Sequence, residues 1–273
     1  MDMIYPHIDE QQAAGAFTGQ SALFDDLYGT DTIIAYKRER VRSHVLKYLK
    51  PGSSILELNC GTGEDAVYLA RQGFKVHATD LSAGMLNQAK QKVAKYRLSD
   101  FVSFEQCSYA KLAELHNNGP YDYIFSNFAG LNCTGELDKV LESFPSLLNN
   151  GGVVTLVILP KFCLWETLLL FKGKFRTAFR RFFSANGRDA KIGDNHFKCW
   201  YYNPSYITRQ LKNTFDVLSI EGLCTIVPPS YLEGFAEQHP KLYRFLVKWE
   251  NRLKTAWPWN SIGDYYIISL KKK

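Results

Sequence analysis

The chain has 273 residues, 46% hydrophobic, 22% charged and 14% aromatic. That is ordinary globular composition, long enough for one large domain or one domain with an appendage. The formal net charge of +6 is mild, and the one dense basic run is FKGKFRTAFRR, with a short tail at Lys271 to Lys273; this argues against a nucleic-acid binder, whose charge gathers on one face or tail.

The opening MDMIYPHIDEQQ is polar and acidic, unlike a secretory signal. Residues 12 to 50 read as helical, with Ile33, Ile34, Tyr36, Val41, Val45, Leu46 and Leu49 carrying the apolar spacing, and KPG ends the region. SILEL is a short strand. Residues 63 to 72 form a helix that Gly73 ends, and KVHATD is the second strand. Residues 82 to 97 form a helix capped by Ser82. VSFEQC and YDYIFSN are the third and fourth strands. Residues 134 to 148 are helical, NNGG turns, and VVTLVIL is a fifth strand buried on both faces. Strands spaced by helices of this size build βαβ units and a parallel sheet.

After Pro160 the pattern changes. Residues 161 to 200 hold a basic aromatic helix and a polar loop. NPSYITRQLKN starts a helix on Pro204, FDVLSIEGLCTIV is a strand, and PPSYLEGFAEQHP is a loop with a turn of helix. Residues 240 to 255 form a helix opening on Pro240, and DYYIISLK is the last strand. The longest apolar stretch, VVTLVILPKFCLWETLLLF, is broken by Pro160, Lys161 and Glu166, which makes it a poor membrane span. Six cysteines, at 60, 107, 133, 163, 199 and 224, have no C-x-x-C pair and read as free thiols in a reducing compartment, with no metal site expected. The expected location is cytoplasmic.

The stretch ILELNCGTGEDA, residues 55 to 66, carries the chemistry. Open α/β sheets bind ligands at the carboxyl ends of their strands, where the loop after the first strand lies. Gly61 and Gly63 let the backbone approach a ligand, and the next helix offers free N–H groups. GTGEDA formally fits the dinucleotide fingerprint G-x-G-x-x-A, with Asp80 as ribose acceptor. Two features oppose a dinucleotide. Glu57 suits a cationic amino group and does nothing for a pyrophosphate. Glu64 and Asp65 already complement the helix dipole and repel a phosphate placed there. S-adenosylmethionine has no phosphate and carries net positive charge, so an acidic loop suits it.

ILELNCGTGEDAVYLA, VHATDLSAGMLNQAK, YDYIFSNFAGLN and LLNNGGVVTLVIL, in this order, resemble the successive motifs of class I S-adenosylmethionine-dependent methyltransferases, most closely the branch with the ubiquinone and menaquinone enzymes. The resemblance covers about residues 20 to 160 well and the final helix and strands more loosely. It implies an α/β fold: a Rossmann-like seven-stranded sheet, mostly parallel with an antiparallel last strand, and helices on both faces, here with a helical cap. It implies S-adenosyl-L-methionine as cofactor and S-adenosyl-L-homocysteine as product. Glu57, Gly61 and Gly63 would line the methionine moiety, with Asn59 and Cys60 in the same loop. Asp80 would bind the ribose hydroxyls, Leu81 or Met85 would lie beside the adenine, and Asn127 near the methionine end. Cys107, Ser108 and Tyr109 fall where many relatives carry a Gly-Asp-Ala that holds the adenine amino group. Two residues depart from the pattern. Asn59 replaces the usual first glycine of the loop, and Ser108 stands where the adenine-binding acid is expected.

Methyl transfer is an in-line displacement governed largely by positioning, to which an oxygen or nitrogen acceptor can add the need for a base. No strong base shows. His196, in GDNHFKCWYY, is the best histidine candidate, against an ordinary surface role. Tyr28, in FDDLYGT, corresponds to a tyrosine near the transferred methyl group in similar enzymes, against plain packing. Trp165, Leu168, Phe171, Phe175, Phe179 and Phe182 recur at helical spacing as one apolar stripe, although Gly173 weakens the helix. Lys172, Lys174, Arg176, Arg180 and Arg181 lie between them, with no acid from 167 to 188. A second helix sets Leu242, Phe245, Leu246, Trp249 and Leu253 on one face. Both stripes read as a lid on the sheet; the functional reading adds an apolar acceptor pocket beneath and cations facing outward to a membrane surface or acidic group.

The expectation is a single methyltransferase domain over residues 1–273, with an N-terminal helical cap (1–50), a cofactor-binding core (51–160), a cap insert (161–203) and C-terminal helices with the last two strands (204–273). Its partner is a small, apolar or aromatic acceptor, O- or C-methylated by family analogy, with peripheral membrane contact and no nucleic acid. The alternatives are an NAD-dependent oxidoreductase using GTGEDA and a catalytically inactive cofactor-binding or membrane-surface module.

Overall fold

The computed structural model describes residues 7–273. It opens with α1 (His7–Gln20), α2 (Phe24–Tyr28) and α3 (Thr32–Leu46). The helical region expected from 12 to 50 is therefore three pieces, the first of which begins earlier, at His7; residues 1–6 lie outside the described residues. Asp31 starts α3 by accepting from the Ile34 backbone N–H at 2.7 Å.

Strand and helix then alternate: β1 (Ser54–Leu58), α4 (Glu64–Arg71), β2 (Lys75–Asp80), α5 (Ala83–Lys95), β3 (Val102–Gln106), β4 (Tyr121–Ser126), α6 (Leu137–Leu147) and β5 (Leu148–Ile158). The Ser82 hydroxyl caps α5, accepting from Met85 N–H at 3.2 Å. The NNGG segment is not a free turn. It is the start of β5, where the register with β4 jumps from Tyr121 opposite Leu148 to Tyr123 opposite Val153. Gly151, at φ 74°, supplies the left-handed residue of that irregularity.

Beyond β5 come α7 (Leu164–Leu168), α8 (Phe175–Phe179), β6 (Arg188–Ile192), β7 (Asn195–Cys199), α9 (Pro204–Leu211), β8 (Phe215–Leu223), α10 (Phe235–Gln238), α11 (Pro240–Leu253) and β9 (Tyr265–Lys272). The single amphipathic helix expected from 165 to 182 does not form. Gly173, at φ 70°, breaks it between α7 and α8. The loop expected before Trp200 is instead a hairpin, β6 antiparallel to β7, turning at Gly193.

The main sheet runs β3-β2-β1-β4-β5-β9-β8, with β9 antiparallel to both of its neighbours and the other pairings parallel. Alternate residues of each strand face opposite layers. Leu56, Ile124 and Leu156 pack under α6 and α9; Ile55, Tyr123, Phe125 and Val157 pack under α3, α4 and α5. Burial on both faces is why the parallel strands read as unbroken apolar runs. α3 is thus a layer of the core, through Val41 and Val45, whereas α1 touches α5 and β7. Among the described residues, no helix is long and apolar enough to cross a membrane.

The C-terminal α11 is anchored by a charge. Its buried Glu250 accepts from the backbone N–H groups of Cys224, Thr225, Ile226 and Val227 at 2.8–3.1 Å. Four donors and the nearby Arg40 guanidinium offset the desolvation of that carboxylate. The expected apolar stripe of α11 is only partly covered: Leu246 packs inward, but Leu242, Phe245 and Trp249 stay exposed.

Candidate functional site

The strand order reverses between β1 and β4, which opens a crevice at the carboxyl ends of the sheet. There the structure holds a cavity, in the place where open α/β sheets bind small molecules. Glu57, Asn59, Cys60, Gly61, Asp80, Leu81, Met85, Tyr109 and Asn127 line it, so the strand register brings these sequence-predicted residues together. Gly63, Cys107 and Ser108 do not line it. A Cβ on Gly63 would lie 2.9 Å from that of Ala89, so this glycine serves the close approach of α4 to α5.

Asn59 has a physical reason to replace glycine. It sits at φ 49°, a left-handed conformation that asparagine tolerates. Its side chain ties two strand ends together. Nδ2 donates to the Asn127 carbonyl at 2.8 Å, and Oδ1 accepts from the Ser126 hydroxyl at 2.6 Å. Asp80 clamps the same loop, accepting from Gly61 N–H at 2.9 Å and Ser82 N–H at 2.8 Å. A carboxylate has further lone pairs, so Asp80 can still accept from a diol.

The cavity is acidic. Glu57 is 3% exposed, and its Oε2 has no hydrogen-bond partner among the described residues. Burial pushes its carboxyl well above the usual range, neighbouring Asp65 and Asp80 push the same way, and Arg42 opposes them. Asp80 is also raised by burial, against the backbone N–H groups that favour its anion. Asp65 is paired with Arg42 at 2.7 Å. Glu64 is paired with Lys92 at 2.5 Å. The orphaned Glu57 oxygen suits an ammonium group, and the acidic walls oppose a pyrophosphate.

Asn127 has both ends of its side-chain amide engaged, donating to Asp65 at 2.6 Å and accepting from Phe128 N–H at 2.8 Å. Phe128 and Ala129 follow at φ 47° and 62°, the sort of strained pair that collects at functional sites. The Phe128 ring lines the cavity beneath the Arg38 guanidinium, 5.7 Å from its centroid. Arg38 Nε is buried without a hydrogen-bond partner among the described residues.

Two expected catalytic residues lie elsewhere. Tyr28 packs on Phe24 at 4.8 Å between ring centroids, and it is Phe24 that lines the cavity. His196 is exposed on β7 opposite Lys191. Among the residues whose side chains are described, which begin at residue 8, no histidine lines the cavity. Glu10, Phe17, Phe24, Arg38, Thr62, Asp65 and Phe128 line it without having been expected. Glu10 and Phe17 come from α1, where only the small residues Ala13, Ala14 and Ala16 hinted at a close approach. Elsewhere Cys163, Glu166 and Asp264 come within metal-ligand distance of one another. The Arg181 guanidinium already engages Glu166 at 2.6 Å and Asp264 at 2.8 Å, so this is an ion-pair network. Arg180 also pairs with Glu166, so these two cations do not face outward as free charges.

Residues 55–152 match the family described as "Methyltransferase domain". An uncharacterized methyltransferase of Synechocystis sp. is 29% identical over 136 residues, which are 47% of this chain and 59% of that protein. The chain therefore spans less than two thirds of that relative's length. The solved cyclase SpnF superposes with a TM-score of 0.63 at 16% identity over 96% of both chains. A Burkholderia thailandensis 1,6-didemethyltoxoflavin-N1-methyltransferase, solved with bound 1,6-didemethyltoxoflavin and S-adenosylhomocysteine, gives a TM-score of 0.58 at 14% identity over 100% of this chain and 92% of its own. At these identities the structural likeness is one of fold.

Proposed function

We propose, from the premise that residues 55–152 match a methyltransferase domain, that the chain transfers a methyl group from S-adenosylmethionine to a small, apolar or aromatic acceptor. The observation that carries this reading is the unpartnered, buried Glu57 oxygen at the end of β1. Glu57 would hold the cofactor's amino group, Asp80 its ribose hydroxyls, and Leu81 with Met85 its purine. When bound, the cofactor supplies an electrophilic methyl carbon. The chain's own part is to orient the acceptor, exclude water and steady its charge.

Phe17, Phe24 and Phe128 give the cavity an apolar wall that supports an aromatic or similarly flat acceptor. The reading favours an acceptor that ionises readily, a phenolic or enolic oxygen or the carbon beside it. That keeps O- or C-methylation. Arg38, with its free Nε–H over the Phe128 ring, would hold such an anion. In this reading Tyr28 supports Phe24, and His196 takes no part in proton transfer.

We also propose peripheral contact with an anionic membrane surface, which would bring apolar acceptors to the chain. Phe171, Phe175 and Phe183 are 89%, 63% and 72% exposed, beside the exposed cations Lys172, Lys174 and Arg176. Leu164, Trp165 and Leu168 continue the apolar surface into a groove shared with Phe245 and Trp249 of α11.

Calorimetric titration with S-adenosylhomocysteine and NADH, followed by transfer of labelled methyl to a panel of phenols and quinols, tests the main reading. Homocysteine-nucleoside binding with transfer supports it. NADH binding alone would replace it with an oxidoreductase. Cofactor binding without transfer to any acceptor would favour a non-methylating use of the fold, as in the cyclase neighbour.

A further inference from the structure

We propose that Glu10, carried on α1, reads the purine amino group of the bound cofactor, so that α1 is a lid forming part of the cofactor site. The inference rests on the S-adenosylmethionine reading and adds to it a residue from outside the matched 55–152 segment.

Glu10 is 3% exposed and lines the cavity with Leu81, Met85 and Tyr109. Its Oε2 accepts from the Ser108 hydroxyl at 2.5 Å. Its Oε1 has no hydrogen-bond partner among the described residues. A buried carboxylate oxygen left unpaired is costly, so a donor from a ligand is the natural complement. Ser108 itself does not line the cavity; its one proton goes to Glu10, and its oxygen accepts from Ala110 N–H at 3.2 Å.

The sheet order gives the ligand its direction. β1, β2 and β3 are adjacent, with Glu57 at the end of β1, Asp80 at the end of β2, and Ser108, bonded to Glu10, just after β3. Neighbouring strands lie about 4.8 Å apart, so the three acids follow one another across roughly 10 Å. A ligand with an amine at one end, a diol in the middle and an aminopurine at the other presents its donors in that order. Leu81, Met85 and Tyr109 supply apolar surface at the purine end.

The lid is latched beside the binding loops. Thr18 bonds Ser82 at 2.8 Å, next to Leu81. α1 comes so close to α5 that a Cβ on Gly84 would meet Thr18 and Ser21 at 2.7–3.1 Å. Asp25 of α2 accepts from Thr62 of the glycine loop at 2.6 Å and pairs with Lys92 at 2.6 Å. A cofactor entering this cavity displaces α1, and Glu10 makes its return part of the binding energy.

The test titrates the full chain with S-adenosylhomocysteine and with S-inosylhomocysteine, in which a carbonyl oxygen replaces the amino group. The wild type should prefer the adenosyl ligand. Glu10→Ala should weaken that ligand about tenfold or more and leave the inosyl ligand nearly unchanged. Glu10→Ala with Ser108→Asp should recover most of the loss, because it returns an acid to the same place. Amide exchange should slow across α1 when ligand binds the wild type, and less so in Glu10→Ala. Equal weakening of both ligands would reduce Glu10 to a structural tie, and no weakening would remove its role; either overturns the proposal. A wild type that binds neither ligand would instead sink the cofactor reading itself.

Discussion

Asn127 donates to Asp65 at 2.6 Å, joining the end of β4 to the first turn of α4. The other oxygen of Asp65 holds Arg42 at 2.7 Å, so one buried carboxylate ties α3, α4 and β4 together beside the cavity. Asp65→Ala leaves an amide and a guanidinium without their partner. It should lower unfolding free energy by about 2–3 kcal/mol, read from the urea midpoint at unchanged slope. Asn127→Ala should cost about 1 kcal/mol, and the double variant less than the sum, because the two changes remove one bond. Strict additivity would mean that the contact contributes no coupling.

Glu57→Gln should separate binding from stability. It removes the charge assigned to the cofactor amino group, so S-adenosylhomocysteine affinity should fall about 30-fold or more. The unliganded variant should nevertheless gain stability at neutral pH. The wild-type carboxyl is raised in the folded state, so that state binds its proton more tightly than the unfolded chain does, and stability falls as pH rises above the ordinary carboxylate range. The advantage of Glu57→Gln should grow over that interval and vanish in acid. Ligand binding should also expel a proton from the wild type, seen as a dependence of the calorimetric heat on buffer ionisation enthalpy. An equal heat in all buffers would refute that protonation state.

A glycine three residues beyond Asn127 depends on an asparagine in another loop. A Cβ on Gly130 would lie 2.1 Å from Asn59 Cγ. Gly130→Ala should therefore cost about 1–3 kcal/mol by overpacking. Adding Asn59→Gly should restore much of it, since glycine also accepts φ 49°. Thermal melts of both single variants and the pair decide this, and a pair no better than Gly130→Ala would show that the clash lies elsewhere.

The parts of the fold that were legible share a cause. β1, β2, β4 and the capped α5 depend on local signals: two-sided burial, a serine cap, glycines at helix ends. The misread insert depends on what its side chains fail to meet. Phe171, Phe175, Phe179 and Phe182 keep helical spacing, yet Gly173 turns left-handed between them and the rings stay largely exposed. The β6–β7 hairpin pairs only with itself, so it lacks the apolar run of a core strand. Glu10 meets Ser108 across 98 residues of sequence, and periodicity carries no information about such a contact. Asp65 was legible as a helix-dipole acid, but its partners Arg42 and Asn127 appear only once β4 lies beside β1.

If Arg38 holds the acceptor anion as proposed, the chemistry has a pH signature. A guanidinium beside the acceptor stabilises its anion and lowers the pH at which the reactive form appears. Arg38→Met should shift the acidic limb of the kcat profile upward by about one unit with a phenolic acceptor, leaving S-adenosylhomocysteine affinity nearly unchanged. A uniform loss at every pH would indicate a packing role on the Phe128 ring.

The exposed face of the insert should respond to lipid charge. Each cation near an anionic surface contributes about 1 kcal/mol, and exposed rings add interfacial burial. Wild-type protein should co-sediment with vesicles containing phosphatidylserine and far less with phosphatidylcholine alone, and high salt should weaken the binding. Reversing Lys172, Lys174 and Arg176 to glutamate should reduce binding about a hundredfold or more. These side chains are exposed, so the melting temperature should barely move. Phe171→Ser with Phe183→Ser should weaken binding even at low salt, because it removes the rings and keeps the charge. If the charge reversals act and the ring changes do not, the surface is an electrostatic contact with acidic groups in general, and the lipid assignment fails.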